Sequence, residues 1–124
     1  MNNDSYQNKA SKVFSFIQTL SKERPKVAKG FVTMHEATGA DNALSAKHKE
    51  LMALAIGIGI RCDDCIACHV QGSLKAGASH DEIMDTIEVA VMMGGGPAIA
   101  YGKNAYEALT EMTQKETIDK TSNN

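Results

Sequence analysis

Residues 47–70 read KHKELMALAIGIGIRCDDCIACHV, and the fold turns on how the middle of that stretch is read. Ile56, Gly57, Ile58, Gly59 and Ile60 alternate as a half-buried strand would, and each glycine weakens a helix by about 1 kcal/mol. Ahead of them, AKHKELMALA is rich in strong helix formers, and no other segment offers a partner strand. The stretch is therefore read as helix, capped by Ser45 and running to about Ile60. On that reading its glycines permit neighbouring backbones to approach closely.

The helical period recurs on both sides. A first helix follows Asp4 or Ser5, with Val13, Phe14, Ile17 and Leu20 as its apolar stripe. Pro25 suits the first turn of a second helix, which carries Val27, Phe31, Val32 and Met34 and stops near Gly39. A fourth helix begins around Cys62 or Asp63 and ends at Gly77. Ser79 and Glu82 form a capping box for a fifth, whose stripe is Ile83, Ile87, Ala90 and Val91. Residues 94–96, all glycine, then Pro97, break the chain and restart a sixth helix with Ile99, Ala105, Tyr106, Leu109 and Met112 on its buried side. From about Thr113 the sequence turns polar and is expected to fray. The expectation is one all-α domain over residues 1–124, built from about six helices.

Composition narrows the function. The chain has 124 residues, a net charge of −2 and 43% hydrophobic residues, the balance of a globular protein. Its 13 Lys and Arg are outnumbered by 15 Asp and Glu, which argues against a nucleic-acid binder. Three Phe, three Tyr and no Trp leave little for a base-stacking platform. The longest apolar run, residues 51–60, is too short for a membrane span of about 20 residues. The opening MNNDSYQNKA carries no basic stretch followed by an apolar core, so a cytoplasmic protein is expected. The seven methionines read most simply as core filler. Two nearly all-apolar segments leave more apolar surface than a small monomer readily hides, so an oligomer is expected.

The chemistry sits in the three cysteines, Cys62, Cys65 and Cys68. An odd cluster of this kind in a reducing compartment is catalytic or metal-binding more often than structural. Cys62, Cys65 and His69 fall at i, i+3 and i+7, one stripe of a helix. The first turn offers unpaired N–H groups that favour a thiolate, with Cys62 the more favoured by the helix dipole. His69 can accept and return a thiol proton, and two thiols at this spacing can close a disulfide. In an antiparallel helix pair Glu50 comes level with residues 69–73, where it can orient His69 and raise its basicity. Bordering an apolar run, Glu50 needs such a partner.

Other readings of these residues are weaker. Cys62, Cys65 and Cys68 match the first three ligands of a ferredoxin cluster, but Gly72 stands where a fourth cysteine is needed. With His69 added, four ligands so close on one helix cannot easily surround a tetrahedral ion, and no metal is expected. The glycines at 94–96 lack the Lys-Ser/Thr of a phosphate loop and read as an interhelical turn. His35, His48 and His80 have no motif partners.

Glu50-x11-Cys62-x2-Cys65-x3-His69 resembles the signature of the AhpD-like alkylhydroperoxidases within the carboxymuconolactone decarboxylase family. KAGAS with DEI, and GGGPA at residues 94–98, fit as well, so the resemblance spans about residues 31–102. It implies an all-helical homotrimer or homohexamer that reduces peroxides through its thiols, with Glu50 and His69 as a proton relay. Carried over residue by residue, Cys65 is the attacking thiol and Cys62 the resolving one. It further implies a hydroperoxide substrate, no bound cofactor, and an external dithiol reductant, either a lipoamide-linked protein or a peroxiredoxin partner. Two features depart from the pattern. Asp64 stands where some members carry His, and its charge should raise a neighbouring thiol's pKa. Cys68 is extra, either a packed, inert thiol or an alternative disulfide partner. A redox-sensing or metal-binding oligomer is the alternative, as is a decarboxylase acting on a small acid or lactone, against which the paired thiols count.

Overall fold

The structure, a computed structural model, describes residues 4–122, with side chains to residue 114. Six helices follow one another: α1 Tyr6–Glu23, α2 Pro25–Gly39, α3 Ala46–Gly59, α4 Asp63–Lys75, α5 His80–Gly94 and α6 Gly96–Ser122. The described residues contain no strand.

Local chemistry sets each boundary. Ser5 Oγ accepts the Asn8 amide and Ser45 Oγ accepts the His48 amide, satisfying donors that the first turns of α1 and α3 leave free. Arg24 alone separates α1 from α2, and Pro25 opens α2, where its missing N–H costs nothing. Ser79 and Glu82 close a reciprocal capping box on α5. Gly95 turns the chain at φ +66 between α5 and α6.

The IGIGI segment is helical up to Gly59, as its flank dictates. Gly57 is where its glycines matter, because a Cβ there would lie 3.3 Å from Cys65 Cβ. The α3 and α4 backbones therefore meet at the thiol-bearing turn. Arg61 reverses the chain in the left-handed region at φ 61, at a cost of about 1 kcal/mol. Cys62 N–H donates to Gly57 carbonyl oxygen at 3.0 Å and helps hold that reversal.

Leu54, Ile58, Ile66, Val70, Ile83 and Leu109 are fully buried where α3, α4, α5 and α6 converge. α2 packs mainly on α1 and touches α3 only lightly.

The apolar stripes are covered unevenly. The α1 stripe is not core: Phe14 is 50% exposed, and Val13, Ile17 and Leu20 are half-buried. On α2 only Ala28 is buried, while Val27, Phe31 and Met34 are exposed. On α6, Ala105, Leu109 and Met112 are buried as expected, but Ile99 and Tyr106 are exposed. Nor are the methionines generally core filler, since Met34, Met52, Met92 and Met93 stand in the open. Periodicity identifies an apolar face without saying what covers it. Beyond Thr113, where the sequence turns polar, α6 runs on to Ser122. Gln, Lys and Glu in that stretch are good helix formers despite their polarity.

Candidate active site

The antiparallel α3–α4 pair brings together residues far apart in the chain. Glu50 Oε2 lies 2.8 Å from His69 Nδ1, with each side chain about one-quarter exposed. Gly72 makes this possible, because a Cβ there would collide with the Glu50 carboxyl group. An ionised carboxylate only accepts, so Nδ1 carries the hydrogen and Nε2 is left as the ring's basic atom.

Cys62 is the N-cap of α4, and its Sγ accepts the Cys65 amide N–H at 3.1 Å. Cys62 and Cys65 are joined by a disulfide across the first turn, with Cα atoms 5.2 Å apart. Cys68 is free and half-buried against the core. Burial pushes its thiol pKa up, and the charges of Asp64 and Glu50 add to the shift. Its thiolate is therefore disfavoured.

A cleft of about 540 Å³ opens between the α1–α2 pair and α4. Val13, Phe14, Ile17, Phe31 and Val32 form its apolar wall, and Glu50, Cys65, Cys68 and His69 face it from the other side. His35, Glu36, Asp64, Gln71 and Lys75 also contribute. Cys62 does not line it. The residues singled out from sequence thus divide: Cys65, His69 and Glu50 border the cleft, and Cys62 is bonded to Cys65 outside it. The cleft wall itself was not legible, because the residues that form it look like ordinary core positions. Nor did the sequence mark Asp63 as more than a charge, although it receives side chains from α1 and α6. Among the described residues, no group of three His, Cys, Asp or Glu side chains stands in metal-holding geometry.

Fold and site together define an all-helical protein with a disulfide-bonded cysteine pair at a helix N-terminus and a Glu–His pair on an apolar cleft. The chain belongs to the carboxymuconolactone decarboxylase family, whose sequence profile matches residues 25–109. It is 35% identical over 82 residues to "Uncharacterized protein 4 in cox locus" of Paracoccus denitrificans, covering 66% of this chain and 74% of that one. An uncharacterized Cupriavidus necator protein is 30% identical over 86 residues, covering 69% and 76%. Among solved structures, a family member from Legionella pneumophila in its apo form superimposes with a TM-score of 0.82 at 34% identity. That match covers 86% of this chain and 95% of the other. A Thermotoga maritima family protein, for which a part in the antioxidative response has been suggested, gives 0.81 at 28% identity. It covers 90% of this chain and 95% of its own. No helix among the described residues is long and apolar enough to cross a membrane.

Proposed function

We propose that the protein is a thiol-dependent hydroperoxide reductase of the AhpD-like branch. One observation carries this reading: Cys65 and the Glu50–His69 pair border the same apolar cleft, with Cys62 bonded to Cys65 from outside it. His69 Nε2 takes the Cys65 proton, and the thiolate attacks the terminal peroxide oxygen. The O–O bond breaks, Cys65 becomes a sulfenic acid, and the alkoxide leaves as an alcohol with the proton from His69. Cys62 then attacks the Cys65 sulfur, water departs, and the disulfide forms. An external dithiol supplies the two electrons that reopen it, and a lipoamide-linked protein or a peroxiredoxin partner is the proposed donor.

The attacker is Cys65 even though the helix N-terminus favours Cys62, because Cys65 is the thiol of the pair that a molecule in the cleft can meet. Turnover of an organic hydroperoxide with a dithiol is the test. Cys65→Ser should abolish it, and undiminished turnover in that variant would overturn the assignment. Exposed apolar side chains such as Ile56, Met92 and Met93 support assembly into a homotrimer or homohexamer, which sedimentation mass tests directly. A cytoplasmic setting, which keeps the pair reducible, completes the reading.

A further inference from the structure

Asp63 follows Cys62 directly and joins three helices. Its Oδ1 accepts the Tyr6 hydroxyl at 3.2 Å and Asn104 Nδ2 at 3.0 Å, and its Oδ2 pairs with Lys9 Nζ. Tyr6 and Lys9 belong to α1, Asn104 to α6. The Lys9 ammonium also stands 4.6 Å from the centroid of the buried Tyr6 ring. Glu111 of α6 ties the same turn down by accepting the Tyr6 amide at 3.0 Å. None of these groups takes part in the relay described above.

The arrangement answers an electrostatic difficulty. Asp63 and Asp64 stand between the two thiols, and a carboxylate charge disfavours a thiolate beside it. The Lys9 ammonium pairs with the residue that directly follows Cys62 in the chain. Lys9 is held charged first by its bond to Asp63, and the fields of Asp63 and Asp64 add to this. The other ionisable groups around the mouth of α4 are Tyr6 on α1, Arg61 in the turn, and Asp64, Cys65, Cys68 and His69 on α4. Glu50 on α3, Glu107 and Glu111 on α6, and Asp4 just ahead of α1, which also acts on Lys9, belong to the same set.

We propose that Lys9 and Asp63 are positioning residues of the dithiol. Anchored by Tyr6 and Asn104, their ion pair cancels the aspartate charge at the start of α4 and thereby sets the acidity of the Cys62 thiol. The inference rests on Cys62 and Cys65 being a working dithiol, as read above.

The test is the pH dependence of iodoacetamide alkylation at Cys62 in the reduced full chain, followed by peptide mass mapping. Lys9→Met should raise the midpoint by about one pH unit, within the range by which an adjacent opposite charge moves a thiol. Asp63→Asn should lower it, and Lys9→Arg should leave it at the wild-type value. A merely structural clamp would move Lys9→Met and Asp63→Asn in the same direction, so shifts of one sign, or none, overturn the proposal. Should Lys9→Met fail to fold, the Asp63→Asn decrease and the Lys9→Arg rescue carry the test. Opposite shifts in a protein that turns over no peroxide would support this inference while removing the peroxidase reading.

Discussion

Glu50 Oε2 reaches across from α3 to within 2.8 Å of His69 Nδ1, nineteen residues further along the chain. This contact fixes the ring and leaves Nε2 as its proton acceptor.

Replacing Glu50 by Gln keeps an oxygen that can accept from Nδ1 but removes the charge that favours imidazolium. We expect peroxide turnover to fall about 10²-fold, the lower range for a general base contribution. Thermal unfolding should change little, since the site is partly solvated. Steady-state peroxide consumption and a melting curve on the same sample check both halves.

Gly72 gives a sharper test. Alanine in a helix interior is ordinarily favoured over glycine by about 1 kcal/mol. Here the new methyl group would displace the Glu50 carboxyl, the far end of a flexible side chain, which can swing aside. Gly72→Ala should therefore fold with equal or greater stability yet lose activity about as Glu50→Gln does. A variant with full turnover would show that the Glu50–His69 contact does not matter to the reaction.

Cys68 faces the cleft but is held protonated by burial and by Asp64 and Glu50. Cys68→Ala should retain peroxide turnover within about twofold. Its cost in urea unfolding should be about 1 kcal/mol, as expected for trimming a half-buried small side chain. Mass mapping after peroxide treatment should find the Cys62–Cys65 bond and leave Cys68 free.

Acid stability reports on the start of α5. Glu82 is held down to about 2, first by its bond to Lys47 and then by the Ser79 amide. A depressed carboxyl contributes fully above its unfolded value and loses that contribution as pH falls toward the folded one. Glu82→Gln should therefore be less stable than wild type by a constant margin above about pH 5, the upper side of the free glutamate titration. The margin should shrink between there and pH 2. Urea midpoints at several pH values measure it. Ser79→Ala, which removes the cap itself, should cost about 1 kcal/mol.

The helices and the site were legible for different reasons. Ser5, Pro25, Ser45, Ser79 and the glycines at 94–96 act on neighbouring residues, so their signals are local and the boundaries followed. The match of Glu50 to His69 was readable because one tight turn at Arg61 fixes the register of two long helices. Ile99 and Tyr106 were misplaced, and the cover of Phe14 and Phe31 was left open, because amphipathic periodicity cannot tell a core wall from a cleft wall or an uncovered face. Asp63 was overlooked since its partners come from residues 6, 9 and 104, a meeting that only the packing of α1 and α6 on α4 creates.

The Cys62–Cys65 bond spans only one turn at the start of α4, the shortest loop of any cross-link these cysteines could form with Cys62. Whatever entropy it removes from the unfolded chain is the least that loop length allows, and it pins no distant segment. Oxidation and reduction should therefore be invisible to the scaffold: amide protons deep in α3, α5 and α6 should exchange at the same rates in both forms. Such a molecule is poorly suited to broadcasting its redox state through shape. It is well suited to passing through many cycles without loosening.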